Sequence, residues 1–65
     1  SDATAHEIMA ALKQLIEDED PRRPLSDDAI ADALADKGFN IARRTVTKYR
    51  ERMGIPTSRL RRGLS

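Results

Sequence analysis

Apolar residues recur along the first third of the chain at three- and four-residue spacing: Ala5, Ile8, Met9, Leu12, Leu15 and Ile16. That spacing gathers them on one face of a helix and predicts a helix over about 5–18. Thr4 stands where an N-cap belongs, with Glu7 three residues on, as in a capping box. The run Glu17-Asp18-Glu19-Asp20 opposes the dipole at a helix C-terminus. Pro21 and Pro24 each bias the preceding residue away from the α conformation, so Pro21-Arg22-Arg23-Pro24 reads as a short rigid connector. The acidic run itself reads as a solvated charge cluster.

A second pattern, Ala29, Ile30, Ala33 and Leu34, predicts a helix over about 26–37. Ser26 caps it, Leu25 precedes the cap as a staple, and Asp27 and Asp28 complement the positive helix end. Gly38 supplies the left-handed residue that stops it, and Phe39 and Ile41 plug the following turn. A third stripe, Ala42, Val46, Tyr49 and Met53, predicts a helix over about 42–53, closed by Gly54 and Pro56, with Asn40 as the candidate cap. Opposite that stripe lie Arg44, Thr47, Lys48 and Glu51, flanked by Arg43 and Arg50. The segment after Ile55 is basic and reads as irregular or a single short turn. No repeat and no strand pattern of useful length is present. The expected architecture is all-α: a three-helix bundle forming a single domain over 1–65.

Composition narrows the function classes. The absence of cysteine excludes disulfides and thiolate metal sites. His6 alone builds no metal cluster and reads as a surface residue. Met9 and Met53 read as core fillers. Asp27 and Asp28 are explained as helix-end residues rather than paired catalytic carboxylates. No apolar stretch is long enough to cross a bilayer. The expectation is no enzyme activity, no cofactor, no metal and no membrane. The net charge of +1 conceals a gradient: −5 over residues 1–20, −1 over 21–40 and +7 over 41–65. A basic end of this kind suits a polyanion.

A capped helix, a glycine-containing turn and a basic amphipathic helix make the layout of a helix-turn-helix. Leu34 and Ile41 lie seven residues apart, so the turn is longer than in compact versions. The second helix would brace the third through Ala29, Ala33, Val46 and Tyr49. The third would then bring Arg43, Arg44 and Thr47 to base edges in a major groove. Arginine can donate two hydrogen bonds to guanine, so two neighbouring arginines hint at a G-rich site. Arg50, Arg52, Arg59, Arg61 and Arg62 read as phosphate anchors, which fix register without reading sequence. Tyr49 belongs mainly to the apolar stripe, with its hydroxyl able to reach a phosphate.

The decapeptide Ala42-Arg43-Arg44-Thr45-Val46-Thr47-Lys48-Tyr49-Arg50-Glu51 resembles the RpoN box, the signature of the sigma-54 class of bacterial transcription initiation factors. The family pattern is Ala-Arg-Arg-Thr-Val-Ala-Lys-Tyr-Arg-Glu, and Thr47 replaces its internal alanine. Leu25-Ser26-Asp27 upstream and Ile55-Pro56, Ser58-Arg59 and Arg61-Arg62 downstream agree as well. The resemblance covers about residues 24–62.

It implies promoter binding, with recognition of the GG-containing −24 element by the domain that carries the box. It implies base reading by Arg43, Arg44, Thr47 and Lys48, and phosphate contacts from Thr45, Tyr49, Arg50, Arg52, Ser58, Arg59, Arg61 and Arg62. It also implies a cytoplasmic bacterial protein. Core RNA polymerase and, indirectly, an ATP-driven activator would engage the rest of such a factor. The isolated domain is expected to be a monomer. The alternatives are a generic helix-turn-helix repressor or recombinase module, which would normally dimerise on a palindrome, and a helical protein-docking domain using the acidic first helix.

Overall fold

The computed structural model describes residues 4–62. The outer ends of the expected domain, residues 1–3 and 63–65, lie outside the described residues. Four helices follow one another: α1 (Ala5–Asp18), α2 (Asp27–Asp36), α3 (Arg43–Arg52) and α4 (Ser58–Arg62). The described residues contain no strand, so the protein is all-α. Among the described residues, no helix is long and apolar enough to cross a membrane.

The larger residues of the three apolar stripes meet in one core, whereas Ala5 and Ala42, expected on the inner faces, stand exposed at the N-terminal ends of α1 and α3. Ile8 and Leu12 from α1, Ile30 and Leu34 from α2 and Val46 from α3 are buried together. Leu15, Ile16, Leu25, Phe39, Ile41, Tyr49, Met53 and Ile55 pack around them. All three pairs among α1, α2 and α3 are in contact, so each of these helices covers part of the same core. Burying an aliphatic side chain of this kind contributes about 1.5–3 kcal/mol. The five fully or nearly buried residues are therefore a main source of stability.

The helix ends follow from local chemistry. Thr4 Oγ1 accepts from the Glu7 N–H at 3.1 Å and donates to the Glu7 carboxylate at 3.4 Å. Ser26 Oγ accepts from the Ala29 N–H at 3.1 Å at the start of α2. At its end, Phe39 N–H bonds Leu34 O at 2.8 Å and Gly38 N–H bonds Ala35 O at 3.0 Å, the two bonds of a Schellman motif. Gly38 has φ +96°, which a side chain would oppose. The same pair of bonds closes α3, from Ile55 to Arg50 and from Gly54 to Glu51.

One expectation is corrected here, and one open alternative is resolved in favour of the short turn. Asn40 does not cap α3. An Ile41 N–H to Phe39 O bond of 3.1 Å tightens the chain there, and the N-cap position falls to Ala42, which offers no side-chain acceptor. The basic segment forms one helical turn, α4, with Thr57 Oγ1 accepting from Leu60 N–H. A helix of five residues does not persist on propensity alone. The anchor that holds it is a side chain, described next.

Candidate nucleic-acid interface

Helix α3 has two chemically opposed sides. Val46 is fully buried, and Tyr49 and Met53 pack beside it. Arg43, Arg44, Lys48, Glu51 and Arg52 are exposed, and Thr45 and Thr47 are half-buried. The N-terminus of α3 carries no side-chain cap, and its first two residues, Arg43 and Arg44, are exposed. Arg43 Nε stands 3.5 Å from Asp28 Oδ1, with both side chains well exposed at 63% and 77%. A pair so open to water is worth ~1 kcal/mol or less, and Arg43 can exchange it for a stronger acceptor. Arg52 lies over the Tyr49 ring, 5.8 Å from its centre, so the cation and the ring position one another.

Arg50 departs from the expected set of surface cations. It is only 5% exposed. Its Nε and Nη2 donate to the two oxygens of Asp27 at 2.9 and 3.2 Å, and its Nη1 donates to Ile55 O at 2.8 Å. Asp27 also accepts from the Thr47 hydroxyl at 2.8 Å. The hydroxyl has a second acceptor within reach, Arg43 O at 3.1 Å, but the carboxylate is nearer and charged. Burial alone would raise the Asp27 pKa. The Arg50 and Thr47 hydrogen bonds, with the charges of Arg50 and Arg61, outweigh it and hold the carboxyl below its ordinary value.

Arg61 is likewise internal. It is 9% exposed, while its neighbour Leu60 is 62% exposed, so α4 turns its arginine inward and its leucine outward. Arg61 Nε and Nη2 reach Glu19 at 2.7 and 2.9 Å, Nη1 reaches Pro56 O at 2.7 Å, and Nη2 also reaches Leu25 O at 2.6 Å. Glu19 accepts in addition from Leu25 N–H at 2.8 Å. Its desolvation would raise the pKa, but the Arg61 and Leu25 hydrogen bonds and the Arg61 charge bring it below normal. Glu19 is thus not part of a solvated acidic run. It pins α4 and the connector to the end of α1.

The remaining expected phosphate contacts, Ser58, Arg59 and Arg62, line a cleft together with Arg22, Arg23 and Pro24 of the connector. The site expected from the sequence therefore divides in three. Arg43, Arg44, Lys48 and Arg52 share the exposed face of α3, with Thr45, Thr47 and Tyr49 half-buried at its edges. Ser58, Arg59 and Arg62 form a separate cluster, and Arg50 and Arg61 are internal.

A family model described as "Sigma-54, DNA binding domain" matches residues 1–63. The chain belongs to the sigma-54 DNA-binding domain family. It is 51% identical to the RNA polymerase sigma-54 factor of Acinetobacter guillouiae over 57 residues, 88% of this chain and 12% of that protein. The Escherichia coli (strain K12) factor is 44% identical over 63 residues, 97% of this chain and 13% of that one. RNA polymerase sigma-54 factor 1 of Bradyrhizobium diazoefficiens is 52% identical over 59 residues, 91% of this chain and 12% of that protein. The chain thus spans about an eighth of the length of these relatives. The family it matches is a DNA-binding one, and no catalytic family is indicated.

In this sigma-54 family member, sequence reasoning missed Asp27 and Glu19 as ion-pair partners and Arg22 and Arg23 as neighbours of α4. A signal for Arg50 was present. At 3.6 residues per turn it lies about 40° from Val46, nearer to that buried residue than Tyr49 is at about 60°. Its charge, not its angle, assigned it to the surface. Arg61 offered no comparable signal, since its partner lies 42 residues away.

Proposed function

We propose that this chain binds promoter DNA as the −24-element recognition domain of a sigma-54 RNA polymerase factor. The reading rests on one observation above all. Arg43, Arg44 and Lys48 stand exposed on α3 while the opposite side of that helix is locked into the core, in a chain of the sigma-54 DNA-binding domain family. On this reading α2 and α3 act as a helix-turn-helix with a lengthened turn, within a single three-helix domain over 1–65. Helix α3 enters the major groove.

Arg43, Arg44 and Lys48 read base edges, with the arginines suited to guanine. Thr47 contributes its methyl group, since its hydroxyl is engaged by Asp27. Thr45, Tyr49, Arg52, Ser58, Arg59 and Arg62 supply phosphate contacts, whereas Arg50 and Arg61 hold the frame. The domain acts as a monomer in the bacterial cytoplasm and catalyses no reaction. Core RNA polymerase and an ATP-driven activator are engaged by parts of the factor beyond this chain.

Fluorescence anisotropy with a labelled −24-type duplex tests this directly. A GG-containing duplex should bind roughly 5- to 150-fold more tightly than one with the GG replaced, the range set by one good bidentate contact. Equal affinities for the two duplexes at moderate salt would remove the promoter reading.

A further inference from the structure

The connector and α4 are about 35 residues apart in sequence and close on one another in space. Between them is a cleft of about 500 Å³ lined by Arg22, Arg23, Pro24, Ser58, Arg59 and Arg62. We infer that this cleft is a second phosphate-binding surface, which takes the backbone of duplex DNA beside the segment read by α3. The inference rests on the promoter-binding reading and adds Arg22 and Arg23 to it.

The cleft is built rather than incidental. Arg61 ties α4 to Glu19 at the end of α1 and to Leu25 O at the end of the connector. Pro21 and Pro24 stiffen the connector from both sides. Asp20 turns the chain, accepting Arg22 N–H at its Oδ1 at 2.9 Å and Arg23 N–H at its carbonyl, also at 2.9 Å. Glu19, an acid close in sequence that could neutralise the cluster, is already engaged by Arg61. No carboxylate lines the cleft, and none pairs with Arg22, Arg23 or Arg59 among the described residues.

The guanidinium groups of Arg22, Arg23 and Arg59 and the Ser58 hydroxyl around one concavity match phosphate oxygens, which arginine binds in a two-point fork. The cleft is larger than a lone phosphate needs, so it suits a run of backbone. Its position favours the same duplex that α3 would read. The connector passes through Leu25 and Ser26 into Asp27 and Asp28, which contact Thr47, Arg50 and Arg43 of α3. A short, rigid path therefore joins the two cationic surfaces.

The test uses the 65-residue chain and its R22A/R23A variant, in which both substituted side chains are exposed. Anisotropy titrations across salt are run on two duplexes. One is a GG duplex extending about one helical turn, ~10 base pairs, beyond the recognition segment on each side. The other is cut back to that segment. On the long duplex, the slope of log K against log salt should become shallower by about 1.8, near 0.9 for each phosphate that the variant no longer neutralises. The affinity deficit of the variant at 50 mM salt should then be roughly twelvefold larger than at 200 mM. On the short duplex the two proteins should bind alike, and the GG preference should survive throughout.

Unchanged slopes on the long duplex would overturn the inference, as would an equal deficit on both duplexes. If the wild-type chain shows no GG preference, the promoter reading fails on its own. If that preference holds while the slopes do not move, the cleft alone is refuted.

Discussion

Arg50 and Asp27 meet across the α2–α3 interface in a two-point contact, Nε to Oδ1 at 2.9 Å and Nη2 to Oδ2 at 3.2 Å. The same arginine grips Ile55 from both sides, accepting its N–H at the Arg50 carbonyl and donating from Nη1 to its carbonyl. One side chain thus sets the spacing of the two helices and the course of the chain after α3. Truncating it leaves Asp27 as a partly buried charge without its main partner and Ile55 O without a donor. Arg50→Ala should destabilise the fold by about 3 kcal/mol. In a domain of this size that lowers the melting temperature by about 12–24 °C. Thermal unfolding followed by circular dichroism measures it, and a loss below ~1 kcal/mol would show that the contact is not the brace described.

The pH dependence follows from two carboxyls. Asp27 and Glu19 both have folded pKa values below their ordinary ones. Each therefore contributes stability that is fully present above the unfolded value of about 4 and is lost as pH falls through the lower folded value. Urea midpoints should be flat from about pH 7 to about 5 and drop steeply below about 4. The variant Asp27→Asn combined with Glu19→Gln should start lower and change less with acid. An equally steep acid loss in that variant would assign the titration to other groups.

Arginine and lysine are not equivalent at position 61. The guanidinium spreads bonds over Glu19, Pro56 O and Leu25 O, which lie in different directions. A lysine keeps the charge but has no planar fork to reach all three. Arg61→Lys should cost about 2 kcal/mol, since the buried acceptors it abandons keep their desolvation penalty. Because α4 is too short to stand alone, amide hydrogen exchange over residues 58–62 should accelerate more than in α1. Unchanged protection there would mean α4 is held by something else.

The three long helices were legible because their apolar residues recur at helical spacing and because Thr4, Ser26 and Gly38 carry the chemistry of helix ends. Asn40 misled because a cap depends on where the chain turns. The Ile41–Phe39 bond that decides this is invisible in residue types. Arg43, Arg44 and Lys48 were assigned to the outer face of α3 by the same arithmetic that buried Val46. Arg50 and Arg61 were not recognised because periodicity records which face a residue occupies. It does not record which distant acid will neutralise it, and an arginine is ordinarily found at the surface. The acidic run at 17–20 looked like solvated charge and the basic segment at 59–62 like a row of phosphate anchors, yet one residue of each is buried against the other.

Thr47 replaces an alanine of the decapeptide it resembles, and its hydroxyl is engaged by Asp27. Thr47→Ala removes a hydrogen bond to a charged group, a loss of about 1.5 kcal/mol. Alanine's higher helix propensity offsets part of that. A net loss of about 1 kcal/mol is expected. Thr47→Ser keeps the hydroxyl and should hold the Asp27 bond. If only the methyl group meets the duplex, both variants should shift base preference together while only the alanine form loses this bond. A base preference that follows the hydroxyl instead would mean that Thr47 leaves Asp27 when DNA binds.

The sharpest separation between reading and anchoring compares Arg44 with Arg59. Both are exposed arginines, on α3 and α4 respectively. A bidentate contact to guanine discriminates by ~1–3 kcal/mol, and a phosphate contact does not discriminate at all. Arg44→Ala should therefore bring the affinities for the GG duplex and its single-base mutant together, by roughly 5- to 150-fold. Arg59→Ala should weaken both duplexes by the same factor and make the salt dependence shallower by about 0.9. The two variants are compared in one competition series, with salt varied at fixed duplex. If Arg44→Ala keeps the full preference and only flattens the salt slope, Arg44 is an anchor. The reading of guanine would then pass to Arg43, which would have to leave Asp28 to do so.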